Sequence, residues 1–242
     1  MRGLQPVSET NAILYFSDKI DLALTPLIGK VVEHLRLMSH PGIREVIPSY
    51  TSILIEYHPL RMTFGELEEL VAQSVSLAEA EVSASAGRAS RAKSAGSRLI
   101  TLPVYYAPEV GPDLAAIAER SGLSIEQVIE HHYQQSYTVC AIGFAPGFAF
   151  LAAVDDRIAT PRHAEPRKRV PPGSVGIANH QTAVYPAASP GGWQIIGNCP
   201  QPLFLPDQQP MTPFQVGDTV KFSPITRQAF LSQGGEIWPD WT

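Results

Sequence analysis

The sequence predicts an α+β protein in two parts, a small α+β domain of split βαβ type at residues 1–98 and an all-β barrel or sandwich at residues 99–242. Long helical periodicity is confined to the first part. A stretch of small and basic residues separates the two parts. After Tyr137 helical periodicity disappears, and short apolar runs alternate with glycine and proline turns.

The first part opens with a strand and a helix. Asn11–Phe16 is a short apolar run that predicts a strand. From Asp21 to Met38, apolar residues recur at the i, i+3, i+4, i+7 spacing of a helix with one buried face. The following His-Pro-Gly sequence, which begins at His40, ends that helix.

A hairpin and a second helix follow. Ile43–Pro48 and Ser52–Tyr57 are predicted to be two strands around a tight turn. Thr63 and Glu66 have the spacing of a capping box, which opens a helix predicted to run to about Ala80. The order β-α-β-β-α is typical of a split βαβ domain, and we expect a later strand to complete its sheet.

Residues 83–97, SASAGRASRAKSAGS, are predicted to be a mobile linker. Alanine, serine and glycine dominate them, and nothing in the segment can bury a large apolar side chain. The basic side chains are interpreted as a solvated linker surface rather than as a contact for an acidic partner.

The second part begins with a strand at Leu99–Tyr106 and a helical pair that imitates a DNA-binding motif. Two short helices flank a Ser-Gly-Leu-Ser turn, and Ser124 caps the second. A DNA-docking helix needs cations and amides, whereas this one offers Glu126 and Glu130. The pattern therefore favours two packed helices over nucleic-acid binding.

The remaining chain predicts short strands, and its last part predicts a polar tail. The tail covers Thr226–Trp238 and carries a late tryptophan. The strand candidates are Tyr137–Phe144, Ser174–Ala178, Trp193–Ile196 and Thr219–Phe222.

Composition limits the classes of function. The chain is 44% hydrophobic and 17% charged with a net charge of −5, typical of a globular protein and unfavourable for bulk attraction to nucleic acid or anionic membranes. The N-terminus lacks a signal-peptide pattern, and no stretch of 18 apolar residues occurs. Cys140 and Cys199 form no zinc motif, which fits a cytoplasmic protein and predicts no metal site.

Common nucleotide-binding and hydrolase motifs are missing. No P-loop occurs, and no G-x-G-x-x-G lies between a strand and a helix. The spacing around Ser174 does not give a nucleophile elbow. If the protein handles ATP, less common loops must do so.

The stretch from Gly143 to Gly197 carries most of the candidate chemistry. Glycine, proline, arginine and aromatic residues are concentrated there, as in rigid loops that hold a small anionic ligand. Arg162, Arg167 and Arg169 are the candidate substrate- or phosphate-binding cations, with a solvated basic loop as the alternative. Replacing Arg167 or Arg169 by lysine is predicted to weaken ligand binding without changing stability.

Other candidates surround these arginines. His131 and His132 end a helix, where a histidine either interacts with the helix dipole or transfers protons in a cleft. The candidate catalytic residues are His132, Gln181 and Tyr185, of which the last two are suited to orient an amide or carbonyl. The further candidates for substrate or phosphate binding are Gly147, Gly173, Ser174 and Trp193, the last of which either stacks on a ligand or caps the barrel.

Ordered motifs in this stretch resemble one family. GFAPGFAFL, TPR, RVPPGSVGIA, QTAVYP and SPGGWQIIG occur in the order and spacing of the family of the 5-oxoprolinase B subunit. The family is also labelled allophanate hydrolase subunit 1, and it includes the kinase A inhibitor of sporulating bacteria. The resemblance extends over nearly the whole chain and is strongest from about Leu99 to Phe222.

The resemblance implies a cyclophilin-like barrel and a role in an ATP-dependent 5-oxoprolinase. Such a protein helps to open the lactam of 5-oxo-L-proline to L-glutamate and is inactive alone. ATP, with Mg²⁺, is the implied co-substrate, and the implied partners resemble the C and A subunits of 5-oxoprolinase. The alternatives are a carboxyltransferase-type domain of urea metabolism and a non-catalytic inhibitor of a sensor histidine kinase. A cyclophilin-like fold does not by itself imply prolyl isomerase activity.

The sequence also departs from the family pattern. Asn179 and His180 replace a common glycine pair, and Asn198 and Cys199 replace a common Arg-Thr. The missing arginine beside Gly197 bears on which anion is bound.

Overall fold

The computed structural model describes residues 3–19, 21–86, 98–238 and 241. The chain divides into two compact units, Met1–Ser97 and Arg98–Thr242. Each unit has a hydrophobic core of its own. In the described part of the chain, no helix combines the length and the apolar character needed to cross a membrane.

The first unit is an antiparallel sheet with two main helices. Its sheet has the strand order β1-β2-β4-β3, in which β4 separates β2 from β3. In chain order, the elements are β1 (Gly3–Pro6), β2 (Asn11–Tyr15), a 3₁₀ turn (Leu22–Leu24), α1 (Thr25–Leu37), β3 (Ile43–Pro48), β4 (Ser52–Tyr57) and α2 (Phe64–Ala86). Since β2 and β3 are both antiparallel to β4, they are parallel to each other, and the predicted split βαβ arrangement is confirmed.

The strand that completes this sheet precedes the others. The sequence predicts a later strand, but β1 pairs with β2, with Leu4 opposite Leu14. The burial pattern explains why β1 is hard to find: its residues are half-buried or exposed, so the strand lacks a clear apolar run.

The helices of the first unit lie where the sequence predicts them, except that α2 ends later than predicted. Ile28, Val31 and Leu35 of α1 are buried in the core, as the periodicity predicts. The capping box of α2 is present, because the Thr63 N–H donates to Glu66 Oε2 at 2.7 Å and the Glu66 N–H donates to Thr63 Oγ1 at 3.3 Å.

The helix α2 also corrects the predicted linker. It continues past Ala80 to Ala86 and so includes the first residues of the segment 83–97. Alanine is the best helix former and serine is tolerated, so a low-hydrophobicity stretch can extend a helix that is already formed. The rest of the predicted linker, residues 87–97, lies outside the described residues.

The second unit is a nearly closed barrel with helices. The elements are β5 (Leu99–Val104), α3 (Leu114–Ser121), α4 (Ile125–Tyr133), β6 (Tyr137–Ile142), β7 (Ala149–Ala152), β8 (Arg167–Val170), β9 (Ser174–Ala178), β10 (Gln181–Val184), β11 (Ser189–Gly191), β12 (Gln194–Asn198), β13 (Thr219–Pro224) and α5 (Arg227–Ser232). Seven strands form one sheet in the order β12-β9-β10-β7-β6-β13-β5. Tyr105, just after β5, exchanges backbone hydrogen bonds of 2.8 and 2.9 Å with Asn198 of β12, so the two edges of the sheet meet. The predicted barrel is confirmed.

The helical pair α3–α4 packs into the barrel core. Leu114, Ile117 and Val128 are fully buried there. Ser124 and Gln127 form the capping box of α4, with hydrogen bonds of 2.9 and 3.2 Å. The expectation of two packed helices is therefore confirmed for this pair.

The sheet is covered on both faces. One apolar cluster fills the barrel interior, and a second lies on the outer face beneath the ribbon that β8 and β11 form. Strand β10 shows the division, because Val184 belongs to the interior cluster and Ala183 to the outer one. The outer cluster supports a pocket at the surface of the barrel.

The predicted polar tail at Thr226–Trp238 begins instead with a helix. The Thr226 hydroxyl caps α5 by accepting a 3.2 Å hydrogen bond from the Ala229 N–H. Phe230 is fully buried and anchors the helix. A six-residue helix with one apolar anchor is too short to show periodicity, which explains the error.

Candidate functional site

A cavity of about 270 Å³ opens on the outer face of the barrel of the second unit. All of its lining residues lie between Gly143 and Gly197, the stretch in which the sequence concentrates glycine, proline and aromatic residues. They are Phe144, Phe148, Phe150, Arg162, Pro166, Tyr185, Pro190, Gly191, Gly192 and Trp193. The pocket is therefore mainly aromatic, with one cation in its lining.

The aromatic walls are mutually braced. The Phe148 ring meets Trp193 edge to face at a centroid distance of 5.7 Å and Tyr185 at 5.4 Å. Phe144, which is 66% exposed and has a positive φ of 74°, stands over Phe148 at 5.1 Å. Edge-to-face contacts of this kind favour fixed ring orientations, so the pocket keeps its shape without an occupant.

The turn at Gly191 and Gly192 fits closely against Tyr185. A Cβ atom on Gly191 would overlap the Tyr185 hydroxyl and ring, whereas one on Gly192 would be in ordinary contact at 3.6 Å or more. Gly191 is thus needed for the close approach of the chain to this side chain. The Tyr185 hydroxyl is in this way brought to the turn that lines the cavity.

Arg162 lies at the pocket with its backbone fixed on both sides. The Gln194 side-chain amide donates to the Pro161 carbonyl at 2.9 Å, and the His163 N–H donates to the Gly192 carbonyl at 2.7 Å. The guanidinium carbon of Arg162 is 5.7 Å from the Trp193 ring centroid, within cation–π range. Among the described residues, no carboxylate forms an ion pair with Arg162.

Arg167 is engaged elsewhere, and this corrects the expectation that it grips a ligand. Its terminal nitrogens donate to both carboxylate oxygens of Asp113, at 2.7 and 2.9 Å. The Asp113 side chain is 7% exposed and the Arg167 side chain 14%. The planar fork that suits a ligand carboxylate is here used on a buried carboxylate of the same unit.

Arg169 points to a third place, so the three arginines do not converge. It is exposed, and its guanidinium carbon is 4.6 Å from the Trp238 ring centroid. Arg169 does not line the cavity. Of the three, Arg162 alone lies at the pocket.

Tyr185 and Trp193 are the other sequence candidates that the structure brings to the pocket. Both are almost fully buried. Burial raises the pKa of Tyr185 to about 12, an effect that the nearby Arg162 and Arg167 charges oppose in part. The phenol therefore stays protonated at neutral pH and can donate a hydrogen bond.

Four further candidates, besides Arg167, Arg169 and His132, lie outside the cavity lining. Gln181 is half-buried at the start of β10. Gly147 and Gly173 have positive φ values of 80° and 77°, and each packs against main-chain carbonyls, of Leu203 and Cys199 respectively. Ser174 is fully buried in β9, and its hydroxyl has no hydrogen-bond partner in the described part of the protein. For the two glycines, the geometry shows close packing of the chain and not N–H groups presented to the pocket.

His132 lies inside the barrel core and not in a cleft, which corrects that expectation. Its Nδ1 is 2.8 Å from the Tyr106 hydroxyl, and its Nε2 is 2.9 Å from Thr182 Oγ1. Burial lowers its pKa to about 3, so the imidazole is neutral. The neighbouring His131 is partly exposed, 3.6 Å from a carboxylate oxygen of Asp155.

Sequence reasoning missed the aromatic walls and the buried acid. Phe148 and Phe150 stand two residues apart in and beside β7, a spacing that places them on one face of a strand and is itself a signal. Asp113 carries no such signal, since its partner is 54 positions away in the chain. No group of three or more His, Cys, Asp or Glu side chains that could hold a metal ion occurs within residues 3–19, 21–86, 98–238 and 241.

The combination of a split βαβ unit and a seven-stranded barrel has a counterpart in a known class. Residues 2–214 match the family described as carboxyltransferase domain, subdomain C and D. The names of similar proteins identify a narrower group within this family. The B subunit of 5-oxoprolinase from Bacillus subtilis is 33% identical over 94% of this chain and 94% of its own length. That of Escherichia coli O157:H7 is 37% identical over 90% of this chain and 94% of its own. The chain belongs to the carboxyltransferase C and D family and, within it, to the group of 5-oxoprolinase B subunits.

Solved structures agree on the fold. The crystal structure of TTHA0988 is similar with a TM-score of 0.75 and 30% identity over 89% of this chain, but the match spans only 40% of that longer chain. The Kluyveromyces lactis urea carboxylase matches 95% of this chain and 22% of its own length with a TM-score of 0.69. At 17% identity, this second likeness shows a shared fold alone.

Proposed function

We propose that this chain is one component of an ATP-dependent 5-oxoprolinase and helps to activate and open the lactam of 5-oxo-L-proline to L-glutamate. Its partners in this proposal are two further proteins of the enzyme. One is a C-type partner, similar to the C subunit of 5-oxoprolinase, with which the chain forms the activating site. The other is an A-type partner, similar to the A subunit, which completes the ring opening. ATP, with Mg²⁺, is the co-substrate.

The chemistry requires activation because a lactam is a stable amide. In the proposed sequence, the lactam carbonyl oxygen takes the γ-phosphoryl group of ATP, and ADP leaves. Water then adds to the activated carbon, the ring C–N bond breaks and the nitrogen takes a proton, which leaves the γ-phosphate ester of glutamate. A second water molecule hydrolyses this acyl phosphate and releases phosphate. The products are L-glutamate, ADP and phosphate.

The observation that carries the proposal is the aromatic pocket with Arg162 at its edge. Its cavity of about 270 Å³ is slightly smaller than the usual range for small-molecule sites, which suits a small ligand. Relatives that match over nearly their full lengths are named as B subunits of 5-oxoprolinase, which supports the choice of this enzyme.

The test is reconstitution. The chain is purified alone and also together with the C-type partner, with and without the A-type partner. ADP release is measured with and without 5-oxo-L-proline, and L-glutamate is assayed separately. We expect no 5-oxoproline-dependent ADP release from the chain alone, and ADP release with L-glutamate formation from the three proteins together.

Two outcomes contradict the proposal. One is full activity of the isolated chain, which would mean that the site is complete without a partner. The other is ADP release by the assembled proteins that responds to urea and not to 5-oxo-L-proline, which would favour the urea-metabolism alternative.

A further inference from the structure

We propose that the outer pocket of the barrel binds a small, flat ring that carries one carboxylate, with the carboxylate on Arg162 and the ring against Trp193 and Phe148, and that it does not bind the nucleotide. This inference rests on the proposed function, since it locates the 5-oxo-L-proline of that reaction in this chain.

The walls of the pocket suit a flat ring. Phe148, Phe150 and Trp193 are held in edge-to-face and tilted contacts, with centroid distances of 4.9 to 6.1 Å. Apolar and aromatic faces bind the body of a ligand, and a few polar groups fix its orientation. A single five-membered ring satisfies this arrangement, whereas a charged chain would leave its polar groups unpaired against aromatic carbon.

Arg162 is the group that selects the anion. Its neighbours in the chain are tied to the barrel through Pro161 and His163, so its position is set before a ligand arrives. The nearby acid, Asp113, is already occupied by Arg167. The Arg162 guanidinium is therefore available for a bidentate contact with a carboxylate.

Tyr185 supplies the second polar contact. Its hydroxyl lies against Gly191 in the turn that lines the cavity, and its phenol is protonated at neutral pH. A phenolic O–H donates to a carbonyl oxygen. One cation for the carboxylate and one donor for the ring carbonyl match a cyclic acid that also carries an amide.

The same geometry argues against a nucleotide in this pocket. The three arginines point to three places, and the structure brings only Arg162 of the three to the cavity. A triphosphate carries several negative charges and requires several donors or a metal ion. The phosphates of ATP are therefore bound outside this pocket.

The experiment measures binding to the purified full chain by isothermal titration calorimetry. The probes are 5-oxo-L-proline, 2-pyrrolidone, which lacks the carboxylate, and ATP with Mg²⁺. The variants are Arg162→Gln and Arg162→Lys at the pocket, Tyr185→Phe for the hydroxyl, and Arg120→Gln as a matched control on the exposed face of α3.

We expect 5-oxo-L-proline to bind about ten- to a hundredfold more tightly than 2-pyrrolidone, because a charge-assisted contact is lost without the carboxylate. Arg162→Gln should weaken the binding of 5-oxo-L-proline by the same factor. Arg162→Lys should weaken it by most of that factor, because lysine lacks the planar fork. Tyr185→Phe should weaken the binding of both ring compounds, because both carry the ring carbonyl. Arg120→Gln should bind as the unchanged chain does, and ATP should not displace 5-oxo-L-proline.

Equal binding of 2-pyrrolidone, displacement by ATP, or unchanged affinity in Arg162→Gln would overturn the inference. If the isolated chain binds none of the probes, the KM for 5-oxo-L-proline of the assembled enzyme decides. An unchanged KM in Arg162→Gln then rejects the pocket while the proposed function stands. Conversely, carboxylate-dependent binding in a chain whose assembly has no 5-oxoproline-dependent activity would reject the proposed function alone.

Discussion

The Asp113 side chain is a buried carboxylate just before α3. Neighbouring side-chain and backbone groups donate most of the hydrogen bonds that it can accept. Besides the two bonds from Arg167, Oδ2 accepts a 2.6 Å bond from the Ile195 N–H, and His163 Nε2 lies 3.2 Å from Oδ1. The carboxylate thereby links the start of α3 to β8 and β12. A buried charge of this kind is costly if it loses its partner.

We expect Arg167→Lys to destabilise the protein by about 1–3 kcal/mol, because lysine keeps the charge but cannot bond both carboxylate oxygens in the same plane. Urea denaturation of the full chain measures the change. This reverses the sequence-based expectation that stability stays the same.

Arg169→Lys is the matched control, two residues along the same strand. Its guanidinium is exposed over Trp238, and such contacts contribute about 0.5–1 kcal/mol. If both variants unfold at the urea concentration of the unchanged chain, the pair of Arg167 and Asp113 does not stabilise the fold.

The hydrogen bonds around His132 fix its tautomer. Thr182 Oγ1 donates its proton to the Gly176 carbonyl at 2.9 Å, so it can only accept from His132 Nε2. His132 Nδ1 then accepts from the Tyr106 hydroxyl. The ring also stacks on Phe222 at a centroid distance of 4.6 Å. The neutral imidazole is fully paired within the core, as a structural histidine should be.

Folding stability should therefore fall as the pH is lowered from about 6.5 towards 3. Burial depresses the pKa of His132 in the folded state to about 3, while the unfolded chain keeps the ordinary value near 6.5. Between these values the unfolded state binds more protons, so this group removes at most about 1.4 kcal/mol of stability per pH unit of acidification. The stability that the neutral His132 side chain contributes is fully present above pH 6.5.

NMR titration and denaturation together test this effect. The His132 imidazole signal should not titrate above pH 4, and His132→Gln should weaken the dependence of stability on pH. The variant His131→Gln, at the neighbouring position of α4, is measured alongside as the comparison. A His132 signal that titrates near pH 6.5 would contradict the buried neutral state.

At the scale of elements, the β8–β11 ribbon depends on one glycine. We expect Gly191→Ala to destabilise the protein by about 1–3 kcal/mol, because the added methyl group overlaps the buried Tyr185 side chain. Gly192→Ala, one residue further, adds its methyl group in ordinary contact distance and serves as the comparison. Thermal unfolding of the two variants measures the difference. Equal melting temperatures would show that the turn accommodates either substitution.

The elements that the sequence predicts well have strong local signals. The apolar face of α1 and the capping boxes at Thr63 and Ser124 are found as expected. The elements that the sequence does not predict have weak local signals. Strand β1 lacks an apolar run, and α5 has a single buried residue. Local patterns predict elements only where burial is repeated along the chain.

The candidate site divides in the same way. The unusual composition of Gly143–Gly197 points to the stretch that lines the pocket, and Arg162, Tyr185 and Trp193 lie there. That a ligand binds at this pocket stays a prediction. The separation of the three arginines was not predictable. It follows from the pairing of Arg167 with Asp113, which only the folded chain brings together.

At the scale of the whole molecule, each unit is explained by its own core. The sheet of the first unit and its helices bury one cluster, and the barrel of the second unit buries two. The segment of small and basic residues at 83–97 predicts a division near residue 98, whereas the change in periodicity near Tyr137 lies within the second unit. The closure of the barrel was not predictable, because the bridge between Tyr105 and Asn198 joins residues far apart in the chain.

A single strand, β10, lies between the pocket and the barrel core. In β10, Thr182 faces the His132 network, while the next residue, Ala183, belongs to the cluster under the pocket. Protein interiors are close-packed and transmit small displacements. A change of volume on the core side is therefore expected to displace the residues under the pocket. We expect substitutions on opposite sides of β10 to change the free energy of unfolding in a non-additive way.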